Sequence, residues 1–201
     1  PLVLQDRNLG AYLSYTKRRC QGRIHHTKKE CDDILTRIEG LHLHLEARAH
    51  LVAAMVLSKA LYGTASALPS KKALSSLRAK CARAVWGQGN RWRAVEALFN
   101  LFTKAHLVDP VQKFSHDTFV TFRRVLRRRP EYKPMFERTF RHRQAHWRDK
   151  TPGPVAALIC ASRHANLSID EEDVSKLHHL DENNALETQE FRWLDADSDS
   201  S

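Results

Sequence analysis

The sequence has no apolar run approaching the roughly 18 residues of a membrane-spanning helix, and we expect no membrane partner. Neither a glycine-rich phosphate loop nor a Gly-x-Ser-x-Gly motif occurs, which excludes the nucleotide and hydrolase sites that those motifs form. The cysteines are widely spaced and form no Cys-x-x-Cys pair, so neither a disulfide framework nor a zinc ribbon is indicated. Free thiols are typical of a reducing compartment, so we expect a nuclear or cytoplasmic location. These residues are Cys20, Cys31, Cys81 and Cys160.

Charge is divided unevenly along the chain. Residues 1–169 hold 31 Lys and Arg against 12 Asp and Glu, whereas residues 170–201 hold 2 against 11. The strong excess of positive charge in residues 1–169 predicts phosphate-bearing partners and binding that weakens as the salt concentration rises. The alternative is a basic surface that serves solubility alone. The acidic end is either an unrelated solvated segment or one that folds over the basic body and competes with nucleic acid.

Apolar residues recur at helical spacing along most of the chain and predict an all-α fold, a bundle of about six to eight helices. The β signal is confined to residues 1–16, where we expect a short N-terminal β remnant. Residues 17–110 form the predicted bundle, and residues 111–169 a basic helical extension. Residues 170–201 are predicted to form an acidic helix and a disordered tail.

Two consecutive helices within residues 41–87 are central to the predicted bundle. The first, over residues 45–62, is apolar on most faces and must be buried by its neighbours, and Gly63 suits the left-handed position at its end. The second has no acidic residue, and its helical spacing predicts that its cations face solvent. These cations are Lys72, Lys80 and Arg83. The predicted core residues are Leu57, Leu61, Tyr62, Leu74, Leu77 and Trp86.

Residues 123–150 form a basic stretch that is interrupted by aromatic residues. It holds 11 Lys and Arg against 3 acidic residues, with Tyr132, Phe136, Phe140 and Trp147 between them. Arginine can bind phosphate with a fork of donors, and exposed rings can stack on bases. We predict that the rings are core residues and that the arginines contact phosphate.

The histidine-rich segments are weak candidates for a metal site. His25, His26 and Cys31 lie close in sequence, as do His42 and His44, but no group has the four-ligand spacing of a structural zinc site. We therefore predict no metal and no cofactor.

Asp32 and Asp33 are a candidate carboxylate pair for divalent ions and phosphoryl chemistry. They fall inside a predicted helix that begins with a capping box of Thr27 and Glu30. Ion pairs with basic residues one turn away on that helix are a sufficient reason for both carboxylates. We therefore predict no catalytic residue here.

Several short motifs occur in a recognisable order. They are Leu9-Gly10, Leu45-x-x-Arg48, Leu57-x-Lys59-Ala60-Leu61-Tyr62-Gly63, Leu77-Arg78, Ala84-Val85-Trp86-Gly87 and Ala105-His106-Leu107-Val108-Asp109-Pro110. This succession resembles the segment just C-terminal to the catalytic palm in reverse transcriptases of non-LTR (LINE-type) retrotransposons. The similarity covers about residues 9–110.

The resemblance implies that residues 17–110 are a thumb-like bundle that holds the template–primer duplex, and that residues 1–16 are the end of the palm. The family's metal-binding aromatic-x-Asp-Asp motif is absent, because the sequence before Asp32-Asp33 is Glu30-Cys31 and this segment follows the palm. The chain is therefore expected to be inactive alone, although the family is RNA-directed DNA polymerase. Because Pro1 opens the sequence, we expect a fragment whose partner is the missing fingers and palm.

The predicted function is sequence-tolerant binding of an RNA or RNA–DNA duplex without catalysis. Two sets of cations are predicted to contact phosphates. They are Lys71, Lys72, Lys80 and Arg83, and then Arg123, Arg124, Arg127, Arg128, Arg129, Arg138, Arg141 and Arg143. The alternatives are a non-enzymatic helical protein-interaction module with a regulatory acidic tail, and a remnant without a selected activity.

Overall fold

The structure of the protein, a computed structural model, describes residues 5–8, 11–14, 22–66, 68–87, 94–101, 103–145, 153–170, 173–174, 176–180 and 186–192. Most of these residues are helical, which confirms the all-α prediction. The helices are α1 Gly22–His26, α2 Lys28–Glu39, α3 Leu45–Leu51, α4 Ser58–Ala60, α5 Lys71–Trp86, α6 Val95–Leu101, α7 Ala105–Val108, α8 Pro110–Arg128, α9 Lys133–Ala145 and α10 Pro154–His164. A π-helical segment, Val52–Leu57, joins α3 to α4, and a 3-10 turn, Pro130–Tyr132, precedes α9.

Two small antiparallel sheets accompany the helices. Strands β1 (Gln5–Asn8) and β2 (Ala11–Ser14) pair in the region where the β remnant was predicted. The second sheet has the order β3-β4-β5. Its strands are β3 Leu167–Ile169, β4 Lys176–Leu180 and β5 Leu186–Arg192.

The acidic helix predicted for the C-terminal region is wrong over β4 and β5. Leu177 lies opposite Ile169 on one side and Phe191 on the other, so three apolar positions are in register across the sheet. Leu177 and Ile169 are buried together in the second core cluster, whereas Lys176 and His178 on either side of Leu177 are only half-buried. The predicted disordered tail, residues 195–201, lies outside the described residues.

The first core cluster is formed around α3, the π-helical segment and α5. Val52, Val56 and Leu57 are fully buried there, as expected for a helix that is apolar on most faces. Gly63 has φ 73°, which confirms the predicted left-handed residue after this helix.

Two of the predicted core residues differ from the expectation. Tyr62 is 53% exposed, because the helix ends at Ala60 and Tyr62 lies in the turn that follows. Trp86 is partly buried and packs on the edge of the first cluster. The other four predicted core residues, Leu57, Leu61, Leu74 and Leu77, are buried.

Helix α8 connects the two core clusters. Near its start Phe114 belongs to the first cluster, and near its end Phe122 and Leu126 belong to the second. The second cluster also contains Phe136 and Phe140 of α9, so these rings are buried as predicted. Tyr132 is exposed, and Trp147 lies outside the described residues. Helix α8, which begins the predicted basic extension, therefore packs into the core of the preceding bundle as well as into the second cluster.

Among the helices that the structure describes, none is both long and apolar enough to cross a membrane.

Candidate nucleic-acid interface

A cavity of about 260 Å³ lies between α2 and α5. Its floor is apolar and buried, with Ile24, Cys31, Ala60 and Leu77. Its polar lining comes from the end of α1, from the first turns of α2 and α5 and from the middle of α5. These polar residues are His25, Lys28, Asp32, Ser70, Lys72, Ser76 and Lys80. We call this feature the lysine cavity.

Lys80 is fixed by a carboxylate on the neighbouring helix. Its Nζ donates to Oδ2 of Asp32 over 2.6 Å, and the Lys80 side chain is only 29% exposed. The prediction that Lys80 faces open solvent is therefore wrong, because the face of α5 that carries it packs against α2. Asp32 likewise pairs across two helices rather than with a basic residue one turn away on its own helix.

Acidic residues of α2 also engage two other cations. Glu39 lies 3.4 Å from Nε of Arg83, and Glu30 forms an ion pair with Lys59. The Thr27 side chain makes no capping hydrogen bond, so the predicted capping box of Thr27 and Glu30 does not form. Arg83 is still largely exposed, but its charge is partly balanced.

The unbalanced positive charge of this region lies near the starts of α2 and α5. Lys28, Lys71 and Lys72 are exposed, and within the described residues no carboxylate lies within 4 Å of them. Lys28 was not among the predicted contacts. It precedes Cys31 and Asp32 by three and four residues, so helical spacing already places it on their side of α2.

A second group of cations lies on α8 and α9. Arg124, Arg128 and Arg138 are exposed, and no carboxylate of the described chain lies within 4 Å of them. Arg127 is exposed as well. On the buried faces of the same two helices, the Phe122 and Phe136 rings pack with centroids 5.4 Å apart, and Phe136 and Phe140 with centroids 6.1 Å apart. The arginines therefore belong to helices whose opposite faces are fixed in the second core cluster. We call Arg124, Arg127, Arg128 and Arg138 the arginine patch.

The other predicted arginines differ in their surroundings. Arg129 lies 3.4 Å from Glu131, and Arg141 lies 4.0 Å from Glu137. Arg123 is half-buried, and its Nε and Nη2 atoms are buried without a hydrogen-bond partner. The Arg143 side chain lies outside the described residues.

An apolar groove of about 650 Å³ borders the arginine patch. The π-helical segment and the turn after α4 form one wall, with Leu57, Leu61 and the exposed Tyr62. Val120 and Val125 of α8 form the other wall. Three charged residues of α8, Lys113, Asp117 and Arg124, also line this groove, and Lys113 and Asp117 pair over 3.0 Å. Tyr62 therefore places an exposed ring in the same groove as a cation.

Two of the sequence motifs meet at Arg78. Its Nε and Nη2 lie 2.9 Å from Oδ2 of Asp109, its Nη1 donates to Glu96 over 3.1 Å, and it lies over the Phe99 ring. Burial lowers the pKa of Arg78, but the hydrogen bonds and charges of Asp109 and Glu96 outweigh burial and leave that pKa raised. This residue is a fixed structural cation, not a free contact for nucleic acid.

Two further motifs meet where Arg48 covers Gly87. A Cβ on Gly87 would lie 1.6 Å from Nη1 of Arg48, and Gly87 has φ 83°. Only glycine leaves room for the guanidinium at this backbone conformation. The contact joins α3 to the end of α5.

The part of the chain that the structure describes contains no candidate metal centre. No group there of three or more His, Cys, Asp or Glu residues could hold a metal ion. The described surface carries exposed ammonium and guanidinium groups on helices, and groups of these two kinds can donate hydrogen bonds to phosphate.

Compared with protein-family models, with curated proteins and with solved structures, the chain matches none of them.

Proposed function

We propose that this chain is a thumb-like module that binds the backbone of an RNA or RNA–DNA duplex and performs no chemistry itself. The observation that carries the proposal is the arginine patch, in which Arg124, Arg128 and Arg138 are exposed without a carboxylate partner in the described chain. Guanidinium donors held in this way suit phosphate oxygens.

The two cationic regions are far enough apart to contact one duplex at separate phosphates. Burial and then the positive charge of Lys71 lower the pKa of His164. Phe114, near the start of α8, belongs to the same core cluster as Leu74 of α5, and its ring lies 6.5 Å from the His164 ring. From Phe114 to Arg128, α8 rises by about 20 Å. That length is several times the spacing of about 3.4 Å between neighbouring phosphates along a strand of B-form DNA, so the two regions can contact different phosphates.

The resemblance to the reverse-transcriptase thumb is part of the proposal. The motifs that carry it are in contact with each other: Arg48 with Gly87, and Arg78 with Asp109. Contacts of this kind give such residues a structural role in a helical bundle, without any need for catalysis. A thumb requires only a stable bundle and a cationic surface, and the described residues supply both.

Fluorescence anisotropy with the full chain and a labelled RNA–DNA duplex of about 20 base pairs tests the proposal. We expect affinities that agree within about threefold between unrelated sequences and that fall linearly with log salt, with a slope between about −3 and −6. Absence of binding at low salt would contradict the proposal. So would a slope near zero, which would favour the protein-interaction module.

A further inference from the structure

The lysine cavity has a shape that backbone binding does not require. A duplex backbone can lie on a convex cationic surface, whereas this cavity has an apolar floor, including Cys31 and Leu77, that is buried below its lysines. Its volume of about 260 Å³ falls just below the range of about 300–1,000 Å³ for most small-molecule sites. It therefore suits one small group rather than a long ligand.

The charges around the cavity match a doubly charged anion. Lys28, Lys72 and Lys80 supply three positive charges, and Asp32 removes one of them. Burial raises the pKa of the Cys31 thiol, so this residue stays neutral near pH 7 and adds no negative charge. The formal charge of +2 complements a phosphomonoester, which carries about −1.5 to −2 at neutral pH. A phosphodiester of the backbone carries only one negative charge.

The donors in the cavity are side chains. The first turn of α5 offers little, because the backbone N–H of Ala73 already donates to Oγ of Ser70 over 3.2 Å. Lys80 is held in place by Asp32, and its ammonium keeps further hydrogens for a ligand. Lys28 and Lys72 reach the cavity from two different helices, and no carboxylate of the described chain competes for them. Donors from both helices can therefore converge on one phosphate.

We infer that the lysine cavity binds a phosphomonoester, either the terminal phosphate of a nucleic-acid strand or a free mononucleotide. Binding of a strand end rests on the proposed duplex binding. Binding of a free mononucleotide does not depend on that proposed function.

Two charge-matched double variants of the full chain provide the test. Lys28→Gln with Lys72→Gln removes two lysines that line the cavity. Lys29→Gln with Lys71→Gln removes their exposed sequence neighbours, which do not line it. Both variants lose the same charge from the same two helix turns. Because all four residues are exposed, we expect both proteins to fold, and the single variant Lys72→Gln provides a milder change.

Anisotropy compares otherwise identical duplexes that end in 5′-phosphate or in 5′-hydroxyl, and calorimetry compares adenosine monophosphate with adenosine. We expect the phosphate to raise affinity about tenfold in at least one of these pairs, as two or more charge-assisted hydrogen bonds would. The Lys28/Lys72 variant should lose this preference, and Lys72→Gln should lose part of it. The Lys29/Lys71 variant should keep it.

The outcomes separate the two proposals. Binding of the mononucleotide without binding of either duplex would support the cavity site and contradict the duplex function. Binding of both duplexes without any phosphate preference, together with no mononucleotide binding, would overturn the cavity site alone. Equal losses in the two double variants would also overturn it, because general electrostatics would then explain the preference.

Discussion

Two nitrogens of the Arg78 guanidinium contact the same carboxylate oxygen of Asp109. Nε and Nη2 of Arg78 both lie 2.9 Å from Oδ2, while Oδ1 of Asp109 accepts the backbone N–H of Val111 over 2.9 Å. One side chain, 1% exposed, therefore begins α8 and attaches it to α5. Because α8 carries most of the arginine patch, this contact positions the proposed binding surface.

Asp109→Ala should strongly destabilise the protein. The change removes the cap of α8 and leaves the Arg78 guanidinium without its buried partner, at a cost of about 3–5 kcal/mol in the free energy of unfolding. Urea unfolding measures this loss. Glu96→Gln is the control, since Glu96 pairs with the same arginine but is mostly exposed and should cost less than about 1 kcal/mol. Equal losses for the two variants would show that the Asp109 contact has no special weight.

Gly87→Ala should be destabilising because of both its backbone conformation and Arg48. A φ of 83° costs a residue with a side chain about 1–3 kcal/mol, and the new Cβ would displace the guanidinium. Thermal unfolding measures the effect. Arg48→Ala with Gly87→Ala should recover the part due to the clash, although it keeps the backbone cost.

Gly40→Ala is the matched control for Gly87. Gly40 has φ −81°, and the nearest atom to a new Cβ is 3.6 Å away. This variant should be neutral or slightly more stable. A loss as large as that of Gly87→Ala would contradict the role given to Arg48.

The sequence was sufficient for features that depend on local spacing. Helical periodicity located the buried helix before Gly63, the acid-free helix α5 and the core positions Phe136 and Phe140. The short motifs contain Arg48, Arg78, Gly87 and Asp109, but the sequence did not predict which of these residues contact each other. These features can be predicted from the sequence because a few neighbouring residues determine the faces of a helix and the conformation of a turn.

Features that depend on which helices pack together could not be read from the sequence. Lys80 was placed in solvent because the helical pattern of α5 gives no indication that the acidic face of α2 covers it. The role of Lys28 could not be predicted for the same reason, because Lys28 lines a cavity that forms only where α2 packs against α5. In the acidic C-terminal region, composition suggested a helix, whereas pairing of β4 with its two neighbours determines the structure.

The Lys80–Asp32 pair gives a prediction that separates fixed from free cations on α5. Lys80→Gln should lower the free energy of unfolding by about 1 kcal/mol, because it leaves a half-buried carboxylate with a weaker partner. Lys72→Gln should change it by less than about 0.5 kcal/mol. Urea denaturation of both variants in the same buffer makes the comparison. A larger loss for Lys72→Gln would mean that the ion pair does not hold α2 against α5.

The salt dependence of duplex binding, measured for arginine-patch variants, tests the central claim most directly. Arg124→Gln with Arg128→Gln should reduce the slope of log affinity against log salt by about 1.5–2, since two phosphate contacts are lost. The charge-matched control is Arg37→Gln with Lys104→Gln, at two exposed positions outside both cationic regions, and it should leave the slope within about 0.5 of the wild-type value. An unchanged slope in the arginine-patch variant, or equal reductions in both variants, would contradict duplex binding through this surface.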